Sequence, residues 1–189
     1  MKYKTVNSKK ELKELLKKDS SIKKIKLNFK DASDLYNEVF ASIDPFFDRL
    51  DLSNWDVSNV TNMSYMFFGA KSFNQPLNKW NTCNVTNMSY MFSYSVKFNQ
   101  PLNNWNTSNV TNMYFMFTSA KSFNQPLNTW DTSSVVDMSW MFFDARSFNQ
   151  PLDNWDTSKV TNMNKIFKNS GLKIPPKNIK LLKEYYKKD

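Results

Sequence analysis

The sequence contains no histidine, one cysteine and two glycines among its 189 residues. Without histidine, the commonest general base and metal ligand is missing from any catalytic site. The single cysteine, Cys83, cannot form a disulfide framework within the chain, and it stands in a repeat position that serine otherwise fills. We therefore predict a protein that is not an enzyme and that needs no cofactor or metal ion.

Long apolar runs are also missing. No stretch approaches the roughly 18 apolar residues that a membrane helix needs. The start of the chain, MKYKTVNSKKELKELLKK, has no apolar segment of the kind found in signal peptides. The sequence as written therefore predicts a cytoplasmic protein that does not insert into a membrane.

Large side chains recur in this chain with one fixed period. Five tryptophans are spaced by 25 residues, and four further columns of identical residues keep the same interval. A period of this length is typical of solenoids and related arrays. A unit of 25 residues cannot bury so many large side chains alone, so neighbouring units must stack on one another. The five columns begin at Leu52, Trp55, Val60, Met63 and Phe67, and a sixth with four members begins at Phe73.

Two local patterns alternate within each unit. Apolar residues at 60, 63, 66, 67 and 70 predict a short helix over residues 58–70. Leu77 and Trp80, behind Pro76, predict an extended piece over residues 75–80 that stacks into a sheet. The predicted fold class is an α/β solenoid: a leucine-rich-repeat-like, right-handed coil with a narrow parallel β-sheet and one short helix per repeat.

The two ends of the chain differ from the repeats and are predicted to cap them. Residues 1–50 form the N-terminal cap, with a helix that starts at a capping box from Ser8 to Glu11, a strand near Ile25 and a degenerate first repeat. The five repeats occupy residues 51–170. Residues 171–189 form the C-terminal cap, whose amphipathic helix is predicted over 178–187.

The net charge of +9 suggests an anionic partner, but most of it lies outside the repeats. Residues 51–170 carry 8 basic and 7 acidic side chains, so they are nearly neutral. Along the repeats the only basic column is Lys71, Lys121 and Arg146, and Val96 interrupts it. A nucleic-acid partner is therefore not expected, and the excess charge is assigned to solvated cap helices.

Asparagine recurs in the motif SFNQPLNKW and its three later copies. A side-chain amide can accept from a backbone N–H and donate to a carbonyl, so stacked copies can satisfy the backbone of a turn close to the core. We interpret this column as a structural ladder, and ligand binding is the alternative. Its members are Asn74, Asn99, Asn124 and Asn149.

A second column is aromatic and is not explained by the core. On a helical wheel, position 65 lies nearly opposite the buried positions. Exposed aromatic stripes mark binding surfaces, whereas mutual stacking along the repeats is the alternative explanation. The candidate binding residues are Tyr65, Tyr90, Phe115 and Trp140, with Phe68 and Phe143 on the same flank.

Carboxylates offer little catalytic chemistry. Asp56, Asp131 and Asp156 share one column with Asn81 and Asn106. Exchange of Asp for Asn between copies indicates hydrogen bonding at turns and not general acid–base catalysis.

The strings NWDVSNVTNMSYMF at 54–67 and FNQPLNNW at 98–105 resemble the BspA-like leucine-rich-repeat proteins of bacterial surfaces, including mycoplasma lipoprotein-associated ones. The resemblance covers residues 51–170. It implies a leucine-rich-repeat-like solenoid, a place at the cell surface, and adhesion or interaction without catalytic residues.

We therefore predict a non-enzymatic interaction or adhesion module whose partner is a protein, either from a host or a second copy, or else a glycan. The alternatives are an anionic-surface or nucleic-acid binder that acts through the basic caps, and a purely structural or self-assembling element.

Overall fold

The structure is a computed structural model that describes residues 2–43 and 50–173. The N-terminal part contains a parallel pair, β1 (Lys4–Val6) and β2 (Ile25–Leu27), joined through helix α1 (Lys9–Lys18). A single-turn helix α2 (Leu35–Glu38) and a 3₁₀ turn (Phe40–Ile43) follow. The helix predicted over 178–187 lies outside the described residues.

Helix α1 begins at the predicted cap. The Glu11 backbone N–H donates to Ser8 Oγ at 3.1 Å, and Glu11 Oε2 in turn accepts the Asn7 backbone N–H at 2.8 Å. The first bond satisfies a donor that a helix N-terminus leaves free, and the second holds the residue that precedes the cap. Leu12 and Leu16 are buried and attach the helix to the core. The prediction of a helix that starts at Ser8 is confirmed.

Isolated parallel bridges continue from this part through the repeats. Lys26 pairs with Asp56, and Asp31 pairs with Asn62, which lies 31 positions further on. After that step every bridge joins residues 25 positions apart, so each repeat pairs with the next at the same place. The remaining bridges are Asn62 to Asn87, Asn87 to Asn112, Asn112 to Asp137, and Asp137 to Asn162.

The helix predicted over residues 58–70 is wrong, because the structure has consecutive turns there. Backbone N–H groups alternate between two kinds of acceptor. The Met66 and Ala70 N–H groups donate within the repeat, three residues back, whereas those of Met63, Tyr65 and Phe67 donate to carbonyls of the next repeat at 2.9 to 3.0 Å. We call residues 63–72 and their equivalents at 88–97, 113–122, 138–147 and 163–172 the ladder segments.

Left-handed residues explain this departure from a helix. Tyr65 and Gly69 have φ of 57° and 71°, and their equivalents in the later repeats are also positive. A positive φ interrupts the helix and turns alternate N–H groups toward the neighbouring repeat. The successive three-residue turns reproduce the apolar spacing of a helix. The extended piece predicted over 75–80 forms no bridge in the described structure; pairing runs through the column of Asn62 instead.

The core consists of the repeated columns. Every member of the six columns is at most 6% exposed. Phe67, Phe92 and Phe117 stack face to face with centroids 5.5 and 5.6 Å apart. Trp80 and Trp105 stack at 6.4 Å with an angle of 3° between their planes. Each large ring therefore packs between equivalent rings of its neighbours, which fixes the register of the repeats.

Candidate binding surface

The candidate aromatic column forms one continuous stack along the repeats. Tyr65 and Tyr90 have ring centroids 4.4 Å apart, Tyr90 and Phe115 are 4.9 Å apart, and Phe115 and Trp140 are 5.2 Å apart, with interplanar angles of 12° to 23°. Lys165 Nζ lies 4.4 Å from the Trp140 centroid and closes the column with a cation–π contact. We call Tyr65, Tyr90, Phe115 and Trp140 the aromatic ridge. Its four side chains are half-buried.

Each ridge residue stands in a conformation that bulky side chains avoid. Their φ values lie between 57° and 59°. The left-handed region costs a residue with a Cβ roughly 1–2 kcal/mol, which is why glycine usually occupies it. The same strain is repeated in four consecutive repeats, and in each of them the chain places an aromatic ring at that position. Each of the four rings therefore stands in a conformation that glycine would adopt with less strain, as does Lys165 in the fifth repeat, with φ of 53°.

Tyrosine hydroxyl groups cluster near the N-terminal end of the ridge. Tyr114 packs edge-on against Tyr90, with centroids 5.2 Å apart. Burial, together with hydrogen bonds to Tyr114 and Tyr65, raises the pKa of Tyr90 far above its ordinary value. The Tyr90 phenol therefore stays neutral and presents its hydroxyl group beside the other rings of the ridge.

Further aromatic rings widen the ridge. Phe68 lies 5.5 Å from Tyr65, and Phe143 lies 4.7 Å from Trp140. Tyr94, which is 48% exposed, and Tyr114 join this surface, and sequence reasoning missed both. The signal that could have found them is deviation from the repeat: Tyr94 stands where Gly69 stands, and Tyr114 stands where Ser64 stands.

The asparagine column forms a ladder on another part of each repeat. Asn74 Oδ1 accepts the backbone N–H of Asn99 at 2.9 Å, and the same contact recurs from Asn99 to Asn124 and from Asn124 to Asn149. In the last step Asn149 accepts from Lys173 N–H. These side chains are exposed or half-buried. All four amide oxygens accept a backbone N–H, which is a structural role.

The carboxylates sit in turns. Asp56 Oδ1 accepts from the N–H and the hydroxyl of Ser58, and Asn81 and Asn106 accept in the same way from the N–H two residues later. Burial alone raises the pKa of Asp56, but the bonds from Ser58 and the ammonium of Lys26 outweigh it and hold that pKa below its usual value. Hydrogen bonds from Ser133 likewise lower the pKa of Asp131.

Within residues 2–43 and 50–173, no three His, Cys, Asp or Glu side chains are grouped as metal ligands would be. Among the helices of the same residues, none has the length and apolar character to cross a membrane.

Comparison with known proteins gives a family and no individual relative. No curated protein and no solved structure matches the chain. A family model described as "Mycoplasma protein of unknown function, DUF285" matches residues 34–135 and 101–173, which together cover well over half of the chain. The matched segments contain the aromatic ridge and the ladder segments. The chain therefore belongs to the DUF285 family of Mycoplasma proteins of unknown function.

Proposed function

We propose that the protein is a non-enzymatic interaction module whose aromatic ridge binds a partner protein. The observation that carries this proposal is the repeated left-handed aromatic residue. Four half-exposed rings occupy positions with φ of 57° to 59°, where glycine would be less strained. Aromatic side chains on a protein surface are common anchors of protein interfaces because they bury much area with few rotatable bonds.

The proposed scaffold for this surface is a leucine-rich-repeat-like solenoid of the BspA-like type. Bridges with a period of 25 residues, the stacked core rings and membership of the Mycoplasma family support that proposal. In such an array each unit contacts only its neighbours, so one exposed position becomes a row. A row of rings gives a partner several equivalent contacts.

A glycan fits this ridge less well than a protein does. Sugar rings and nucleobases pack on the open faces of aromatic side chains. On the ridge, each inner ring face is covered by the next ring, and the ammonium of Lys165 lies over Trp140. The ring edges and the tyrosine hydroxyl groups remain for contact, which suits the irregular apolar side chains of a protein.

Selection from a random-peptide phage library tests the proposal. The wild-type chain is the bait, and the variant Tyr90→Ser/Phe115→Ser/Trp140→Ser is used for counter-selection. We expect peptides that bind the wild type and lose at least about ten-fold in affinity for the variant, as truncation of aromatic anchors usually produces. Because three substitutions can disturb folding, Trp140→Ser alone is measured in parallel, with thermal unfolding of both variants.

The matched control is Tyr3→Ser, which removes an exposed aromatic side chain of the N-terminal part. Selected peptides should bind this control as they bind the wild type. If no peptide distinguishes the wild type from the folded Trp140→Ser variant, the ridge does not bind proteins and the proposal is wrong. Light scattering at two concentrations identifies the case in which the partner is a second copy: a dimer that Trp140→Ser dissociates.

A further inference from the structure

Charge is segregated between two parts of each repeat. The ladder segments contain six basic side chains and one acidic side chain, whereas the other residues of 51–162 contain two basic and six acidic side chains. The near-neutrality of the repeats therefore hides an uneven distribution. The basic side chains of the ladder segments are Lys71, Lys97, Lys121, Arg146, Lys165 and Lys168, and all six are exposed.

A lysine also stands next to Val96, which interrupts the basic column. Lys97 lies in the neighbouring column, with Ser122 and Ser147, and its N–H donates to the Lys71 carbonyl at 3.3 Å. We call Lys71, Lys97, Lys121 and Arg146 the basic row. Among the described residues, Lys71, Lys97 and Lys121 form no close ion pair with a carboxylate.

Contacts in one repeat connect the basic row with the ridge. The ring of Phe143 lies 4.7 Å from Trp140. Asp144, the next residue, accepts from Arg146 Nε at 2.8 Å, and Lys121 also lowers the pKa of Asp144, after the larger effect of its bond with Arg146. Asp144 is the single carboxylate of the ladder segments, and Arg146 neutralises it. The basic side chains of the ladder segments therefore outnumber the carboxylates by six to one, and the excess charge is positive.

We propose that the ridge and the basic row together bind an acidic segment of a partner protein, with apolar side chains on the ridge and carboxylates on the row. This inference rests on the proposed function and specifies the chemistry of the partner. Charge complementarity selects the carboxylates. The covered ring faces disfavour nucleic acid, because bases bind single-stranded sites by stacking on open faces.

The test is fluorescence anisotropy with three labelled probes of equal length: a peptide of alternating glutamate and leucine or phenylalanine, the same peptide with lysine for glutamate, and oligothymidylate. We expect the acidic peptide to bind at least about ten-fold more tightly than the other two. Quenching of tryptophan fluorescence by iodide gives a second readout. Trp140 is half-buried, whereas the other five tryptophans are at most 3% exposed, so the bound peptide should protect the accessible fraction.

Two double variants with the same change in net charge distinguish an effect of the basic row from an effect of the overall charge of the protein. Lys71→Ser/Lys121→Ser removes two charges beside the ridge, whereas Lys79→Ser/Lys159→Ser removes two exposed charges outside the ladder segments. We expect only the first pair of substitutions to lower the affinity for the acidic peptide, by about ten-fold at low salt. The same pair should also reduce the salt dependence of that affinity. Equal effects of the two pairs would overturn the inference.

Other outcomes separate this inference from the proposed function. Tighter binding of oligothymidylate than of the acidic peptide means that the surface is a nucleic-acid site, and the inference is wrong. The acidic and lysine peptides could instead bind with equal affinity, and both could bind the Trp140→Ser variant more weakly. That result would mean that the ridge binds proteins but that the basic row does not discriminate acidic from basic partners. In that case the proposed function stands and only the inference fails.

Discussion

At the scale of single residues, the chain places side chains at left-handed positions that usually take glycine. One of the two such positions carries the ridge in four repeats and Lys165 in the fifth. The other position carries Gly69, Tyr94, Ser119, Asp144 or Asn169 in turn. Three of the side chains that stand in place of this glycine make contacts with neighbouring repeats. Tyr94 packs against Phe68, and the Ser119 hydroxyl lies 3.3 Å from the Asp144 carboxylate. The strain is therefore a feature of the backbone path, and individual side chains adapt to it.

Gly69→Ala measures that strain without steric interference. A Cβ at this position meets no atom within 4 Å, and φ is 71°. We expect a loss of about 1 kcal/mol in the free energy of unfolding, measured by urea denaturation, from the left-handed conformation alone. Gly69→Asn is the matched control and should cost less, because asparagine tolerates this region. Equal costs for the two variants would show that another effect acts.

The buried tryptophans differ in one hydrogen bond. Trp105 Nε1 donates to the Leu77 carbonyl at 2.9 Å, and Trp80, Trp130 and Trp155 make equivalent bonds. Trp55 Nε1 is buried without a partner among the described residues. Trp105→Phe should therefore destabilise the protein by about 1 kcal/mol more than Trp55→Phe, since both variants lose the same volume but only one loses a bond. Thermal and urea unfolding of the pair checks this, and an equal loss would contradict it.

At the scale of elements, the sequence predicted which repeat positions are buried or form ladders better than it predicted the backbone conformation. The six core columns could be found because burial repeats with the period, and the asparagine ladder because the same amide recurs at the same place. The turns of 63–70 could not, because the apolar spacing of successive three-residue turns equals that of a helix, and Tyr, Phe and Trp give no sign of a positive φ. The helical wheel therefore assumed the wrong backbone conformation. It still separated the half-buried ridge from the fully buried columns.

The junction between β2 and the first repeat is predicted to be sensitive to acid. Lys26 and Asp56 form both a parallel bridge and an ion pair at 3.2 Å, and the pKa of Asp56 is lowered in the folded protein. A group with a depressed folded pKa contributes stability above its unfolded pKa of about 3.9 and loses that contribution as the pH falls through the folded value.

Asp56→Asn should therefore be less stable than the wild type at neutral pH and approach it below about pH 4. The turn itself should survive, since Asn81 and Asn106 hold the same turn in later repeats. Melting temperatures from pH 7 down to pH 2.5 provide the measurement. Asn81→Asp, which adds a carboxylate at an equivalent turn without Lys26, separates the turn from the ion pair. Parallel pH profiles of the wild type and Asp56→Asn would contradict the assignment.

At the scale of the whole molecule, stability should be a sum over repeats and the contacts between neighbours. Every core ring of a central repeat packs against the equivalent ring on each side, as Phe117 does with Phe92 and Phe142 at 5.6 Å. The 31-residue step from Asp31 to Asn62 shows that the path between bridges can take up extra residues at the N-terminal junction. The segments between later bridges keep 25 residues, and their conserved length is what brings identical side chains together.

Deletion of one whole period tests this picture and the proposed solenoid together. Removing residues 101–125 joins Gln100 to Pro126 and restores the motif FNQPLNTW at the junction. Asn87 then pairs with Asp137, and Tyr90 stacks on Trp140, as equivalent residues do in the intact chain. We expect a folded protein with one cooperative transition and a lower melting temperature, because one repeat and one interface are lost.

The control is deletion of residues 101–112, which removes half a period. The thirteen residues left of that period cannot complete a repeat. Residues 126–137 lose their partners at 101–112, and residues 113–125 then follow their partners at 88–100 by thirteen positions instead of 25. Near-ultraviolet circular dichroism of the stacked tryptophans should persist in the first deletion and collapse in the second. If the half-period deletion folds as well as the full one, stacking of equivalent positions does not hold the repeats together, and the ridge is not a consequence of the period.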